Sequence, residues 1–169
     1  MRVLTPMTQT AHLTSSTIPL TIRQANWHTS EDQKQLQHIR QVVFLEEQNI
    51  PKADEWDGKD AKDTTQHYLA FAPNNKAAIA CIRVLRVNTE NTSYWKVGRV
   101  AVLPAYRGKR IAQHLVATII DIAKEQGVNQ LELESQTYIT SLYEKLGFEV
   151  CSEPFIDAGI EHVKMRQRI

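Results

Sequence analysis

The feature that most constrains this chain is a change of hydrophobic period at residue 104. Tyr94–Leu103 is an apolar run with strand character, and Pro104 and Gly108 punctuate a turn. Ile111, Leu115, Ile119 and Ile122 then recur at helical spacing as far as Gly127, which suits a C′ position. A strand that turns directly into a helix presents the helix's first N–H groups at the turn, where they lack intrahelical partners. They lie at the positive end of the helix dipole and form a natural anion site. Arg107, Lys109 and Arg110 add positive charge there, and Gly108 permits close backbone approach.

The rest of the chain fits one layered unit around this segment. Ile18, Leu20 and Ile22 alternate with polar neighbours as in a half-buried strand. Ser30 with Gln33 reads as an N-cap and capping box, and Leu36, Ile39 and Val43 share one helical face up to the break at Pro51. Residues 52–66 are polar and acidic and read as a surface loop. Residues 68–72, 77–87 and 94–103 read as an antiparallel meander, and Val128–Glu134 as a further strand. A second helical stripe runs through Ile139, Leu142, Tyr143 and Leu146 to Gly147, before a final strand pair at 148–151 and 160–167. The predicted order is β-α-β-β-β-α-β-α-β-β, an α/β fold with a mixed, mostly antiparallel sheet flanked by helices. Its 169 residues suit a single domain, expected over 18–169, with residues 1–17 a disordered polar extension.

Composition removes several classes. Apolar residues make up 42% and charged residues 23%, which excludes a disordered chain. A net charge of +1 excludes a globally basic nucleic-acid coat. The local cations Arg99, Arg107, Lys109, Arg110, Lys164, Arg166 and Arg168 lack the interleaved aromatic platform of a single-strand binder, so no nucleic-acid partner is expected. No run approaches the roughly 18–20 apolar residues that span a bilayer, and the first 21 residues lack a signal-peptide core, so a cytoplasmic protein with no membrane partner is expected. Cys81 and Cys151 both sit in strand-like runs and read as buried reduced thiols. Glu55-x-Asp57-x-x-Asp60 lacks the further ligands of a Ca²⁺ site, the histidines and cysteines show no zinc spacing, and no metal is expected.

The turn Arg107-Gly108-Lys109-Arg110-Ile111-Ala112 resembles the Arg/Gln-x-x-Gly-x-Gly/Ala pyrophosphate loop of the GNAT acetyltransferase superfamily, in its usual place between a Val-Ala-Val strand and a long helix. Tyr143-Glu144-Lys145-Leu146-Gly147-Phe148 is similar to that family's later Tyr-x-x-x-Gly-Phe segment. Val43–Pro51, Glu55–Asp60 with His67, and Ala158–Met165 are similar to its ElaA/YjcF-like branch. Arg110 stands where the loop usually carries its first glycine, so a side chain there demands either a different backbone angle or an outward swing.

The resemblance implies transfer of an acetyl group from acetyl-CoA to a primary amine of a small molecule or peptide, by direct attack in a ternary complex. Backbone N–H groups of Arg107, Gly108, Lys109, Arg110, Ile111 and Ala112 would hold the pyrophosphate. The edge of Val100, Ala101 and Val102 would pair with the pantetheine, with an oxyanion donor near Val100. Periodicity alone makes Tyr143 part of a core stripe; the resemblance makes it the acid that protonates the departing thiolate. Glu47, Asp57, His67, Glu134 and His162 are candidate bases, with Glu47 and His162 favoured by the branch similarity. A longer-chain acyltransferase related to acyl-homoserine-lactone synthases, and a CoA-binding module without turnover, remain as alternatives. A homodimer is one arrangement the sequence leaves open. Charge is segregated: residues 91–120 hold five cations and no acid, while residues 46–63 hold seven acids against three lysines, net −4, which hints at a cationic acceptor.

Overall fold

The computed structural model describes residues 9–10 and 18–169. The expected extension over 1–17 lies outside the described residues, apart from the short strand β1 (Gln9–Thr10). The remaining strands are β2 (Thr21–Ala25), β3 (Thr65–Phe71), β4 (Ala80–Asn88), β5 (Ser93–Val102), β6 (Gln130–Gln136), β7 (Glu149–Val150), β8 (Phe155–Asp157) and β9 (Ile160–Arg168). The helices are α1 (Ser30–Arg40), α2 (Lys52–Glu55), α3 (Ile111–Glu125) and α4 (Thr140–Glu144). Strand order is β1-β2-β3-β4-β5-β6-β9-β7, with β8 also on β9. Every pairing is antiparallel except β5–β6.

Side-chain alternation divides the core between the two sheet faces. Tyr68, Ala70, Ile82 and Val84 pack with Leu115, Ile119, Tyr143 and Phe148 on the α3 side. Leu69 and Cys81 face Leu36, Ile39 and Val43 of the first helical region on the other. Helix α3 forms because its apolar residues keep one stripe on the sheet. It ends because Gly127 takes φ 73 and closes a Schellman motif, with Gly127 N–H donating to Lys124 O at 3.0 Å and Val128 N–H to Ala123 O at 2.9 Å.

Two local expectations are corrected. The first helix is preceded by Thr29 and has no side-chain cap, so the Ser30–Gln33 box does not form. Cys151 is exposed, because β7 is a two-residue edge strand with both residues at the surface. Cys81 is buried as expected, and burial pushes its thiol up to about 12, which makes it inert.

The largest correction concerns the acidic loop. Residues 52–66 are not simply a surface loop: they contain α2, and Glu55 and Asp60 are buried. They are inside because three distant arginines meet them there. Arg40, only 1% exposed, donates to Glu55 and, at 2.7 Å, to Asp60. Arg83 donates to Asp60 at 2.9 Å and grips Asp57 through both terminal nitrogens, at 2.9 and 2.7 Å. Arg99 Nε lies 2.8 Å from Glu55 Oε2, off the hydrogen-bond direction, and Nη2 donates to the carbonyls of Asp54 and Glu55. Three positive charges therefore meet three negative ones, and the Arg40 guanidinium also lies 4.7 Å above the Trp56 ring centre.

Removing one member strands its partners in a low-dielectric interior. Asp60→Asn is therefore expected to cost about 3–5 kcal/mol in urea denaturation. Burial alone would push the Asp60 and Asp57 carboxyls up, but the facing guanidiniums hold both below the ordinary carboxylate range. Their contribution is present above that range and lost as pH falls through the folded-state values. Acid unfolding of wild type, followed by circular dichroism, should therefore show a loss of stability below about pH 4 that is smaller in Asp60→Asn.

Candidate active site

Strand β5 carries a bulge that shapes the site. Cys81 pairs with Ala101 and Arg83 with Gly98, so Arg99 and Val100 together oppose Ile82. Arg99 takes a left-handed φ of 52, and its ion pairs with Glu55 and Asp57 hold it there. Beyond the bulge β5 leaves its parallel neighbour: the β5–β6 ladder runs from Trp95↔Leu131 to Val97↔Leu133 and stops. The β6-facing backbone from Gly98 to Val102 is left without a strand partner. A cavity of about 340 Å³ opens there, lined among others by Phe44, Val100, Glu134, Tyr143 and His162.

Tyr143 enters this cavity from α4. It is 6% exposed, stands edge-on to Phe148 with ring centres 6.2 Å apart, and burial pushes its phenol up to about 12. His162 starts the register of β9 opposite Gln136. Its Nδ1 lies 2.7 Å from the Ile160 carbonyl, which can only accept, so Nδ1 is the donor and the lone pair of the neutral tautomer falls on Nε2. Glu134 also lines the cavity but accepts from Lys96 Nζ at 2.9 Å. Asp57 lines it as well and is gripped by Arg83.

The other candidates lie elsewhere. His67 is buried outside the cavity wall, with Nε2 3.0 Å from the Asp60 carbonyl and its ring stacked on Trp27 at 5.1 Å. Burial pushes its pKa down. Glu47 is not part of the cavity wall; both its oxygens accept from Arg107 Nη1, at 2.9 and 3.0 Å.

The basic turn has the geometry of an anion cradle. Pro104–Tyr106 form a short 3₁₀ turn, and Gly108 and Arg110 are both left-handed, at φ 77 and 57. Arg110 thus adopts the backbone angle usual for glycine, and its side chain, exposed, makes no ion pair among the described residues. The first intrahelical bond of α3 is His114 N–H to Arg110 O at 3.1 Å, so the N–H groups of Ile111, Ala112 and Gln113 are open to a ligand. Lys109 Nζ sits 5.5 Å from the Tyr106 ring centre.

Residues 33–169 match the family model for the acetyltransferase (GNAT) domain. The chain belongs to the GNAT acetyltransferase family. As a member it is an acyltransferase, of a family whose usual co-substrate is acetyl-CoA. It is 31% identical to YyaT of Bacillus subtilis over 142 residues, 83% of this chain and 92% of the relative. It is 27% identical to ElaA of Escherichia coli over 135 residues, 79% of this chain and 86% of the relative. The ElaA crystal structure superposes with a TM-score of 0.75 over 88% of this chain and 99% of that one. A GNAT family acetyltransferase from Elizabethkingia anophelis with acetyl-CoA bound shares the fold at a TM-score of 0.59, covering 89% and 98%. The GNAT fold and the ElaA/YjcF-like branch expected from the motifs are borne out.

Sequence reasoning missed two contributors to the cleft. Arg99, visible in the sequence only as one of several local cations, fixes the bulge through Glu55 and Asp57. Gln48 and Gln136 meet across the cleft, Nε2 of Gln136 donating to Oε1 of Gln48 at 2.9 Å, and no motif announces that contact.

Since Arg110 holds a left-handed angle, Arg110→Gly is expected to equal or exceed the wild-type denaturation midpoint. Arg110→Val, β-branched at the same angle, should lose about 1–2 kcal/mol in the same denaturant titration.

Proposed function

We propose that this protein transfers an acetyl group from acetyl-CoA to a primary amine of a small molecule or peptide, in a cytoplasmic setting. The observation that carries the reading is that Tyr143 and His162 line one cavity where β5 parts from β6. An anion cradle formed by Arg107, Gly108, Lys109, Arg110, Ile111 and Ala112 follows β5 in the chain. The cradle would take the CoA diphosphate through main-chain N–H groups. The edge at Val100, Ala101 and Val102, which has no strand partner on the β6 side, would pair with the pantetheine arm as an added strand and bring the thioester to the bulge.

In this reading the His162 Nε2 lone pair takes a proton from the ammonium, directly or through water, and the free amine attacks the thioester carbonyl. The C–N bond forms and the carbonyl becomes an oxyanion, which a backbone N–H near Val100 stabilises. Collapse breaks the C–S bond, and the nitrogen loses its second proton to water as the amide forms. Tyr143 O–H hydrogen-bonds the departing sulfur and supplies its proton. Burial pushes the phenol up to about 12, so it stays protonated at neutral pH and is present as a donor when the C–S bond breaks.

Acetyl-CoA thiol release across a panel of amines, amino acids, polyamines and peptides tests the reading. Turnover with longer acyl-CoAs alone would favour the longer-chain alternative. CoA binding with no turnover across the panel would favour a binding module. Tyr143→Phe should lower kcat by about 10²-fold while the dissociation constant for CoA stays unchanged. A full-rate Phe variant would remove the acid role.

A further inference from the structure

Arg107 opens the turn assigned above to the diphosphate, yet its guanidinium is already engaged. Nε donates to the Val102 carbonyl at 3.1 Å, at the end of β5, and Nη1 donates to both carboxylate oxygens of Glu47. Glu47 closes a π-helical turn, Gln41–Glu47, and the next residue, Gln48, makes the contact with Gln136 across the cleft. Phe44, Gln48 and Ile50 from this segment line the cavity. One carboxylate therefore ties the anion turn to the cavity wall.

We propose that Glu47 is a built-in occupant of the diphosphate site, which the cofactor displaces and thereby turns into part of the acceptor site. The inference rests on the reading that CoA binds at the turn. Glu47 and Arg107 form the only ion pair between the turn Arg107–Ala112 and the rest of the described residues. The pair is open to solvent, with side chains 40% and 42% exposed, and an exposed pair of this kind holds weakly. A diphosphate brings at least two negative charges to the same guanidinium and repels the carboxylate. π-helical turns are locally irregular and concentrate at functional sites, which makes this segment suited to rearrangement. Once displaced, Glu47 is an uncompensated carboxylate beside Gln48, free to draw an ammonium toward the cavity. The acceptor that fits is a cation, bound after the cofactor. Linkage makes the effect reciprocal: the internal pair lowers CoA affinity by the factor that CoA binding weakens the pair.

The sign of the effect separates displacement from a simple splint. Calorimetric titration of CoA and of pantetheine, which lacks the diphosphate, would be run on wild type, Glu47→Gln and Glu47→Asp. Glu47→Gln is expected to bind CoA about three- to fivefold more tightly, with pantetheine affinity unchanged. Glu47→Asp keeps the charge and should stay near wild type. CoA affinity unchanged or weakened in Glu47→Gln, or an equal gain for pantetheine, would overturn the proposal and leave acetyl transfer standing. Failure of wild type and variants alike to bind CoA would overturn the underlying reading instead.

Discussion

Three arginines facing three carboxylates on the α1 face of the sheet set the geometry on which the rest of the molecule depends. Arg40 comes from α1, Arg83 from β4 and Arg99 from β5, and all converge on Glu55, Asp57 and Asp60. Burying any one of these charges alone would cost several kcal/mol, so the cluster is stable only when complete. Its completeness draws a polar segment inside, anchors α1 to the sheet and pins the left-handed bulge in β5. The bulge in turn separates β5 from β6 and opens the cleft. A charge network whose Glu55, Asp57, Arg83 and Arg99 line the cavity thus also shapes the bulge that opens it.

The same pairing changes the meaning of the charge distribution. The basic stretch 91–120 and the acidic stretch 46–63 look like two separate fields in the sequence. In the fold they largely neutralise each other: Arg99 meets Glu55 and Asp57, and Arg107 meets Glu47. Lys96 is matched by Glu134. Lys109 and Arg110 are left as the cations of that stretch without an acid partner among the described residues, both in the turn before α3. The acidic loop, with its buried members spoken for, no longer suggests a cationic acceptor by itself.

Legibility followed the range of the interaction. Local periodicity was enough for α3, because every fourth residue reports the same face, and for its end, because Gly127 needs a left-handed angle. The order of elements followed as well, apart from α2, β1 and β8, which are too short to carry a period. What stayed hidden was non-local. Nothing near Glu55 or Asp60 announces that residues 40, 83 and 99 arrive beside them, so a solvated loop was the natural reading. For the site, Tyr143 was visible as part of a stripe and through its motif. The orientation of His162 depends on a carbonyl two residues away, and the Gln48–Gln136 contact spans 88 positions. The angle at Arg110 was legible only as a conflict between residue type and motif.

The brevity of the parallel ladder has a mechanical consequence. Three paired positions, Trp95 to Val97 against Leu131 to Leu133, join the sheet of β1–β5 to the sheet of β6–β9. The opposite borders of β5 and β6 are far longer, eight recorded pairs with β4 and seven with β9. The molecule is therefore two well-knit leaves joined along a short spine, with α3 as the covalent strap between them. Widening the gap for a bulkier guest would strain that short ladder and the core that α3 shares with both leaves, where Ile82, Val84 and Val97 pack in one cluster with Leu131, Leu133 and Met165.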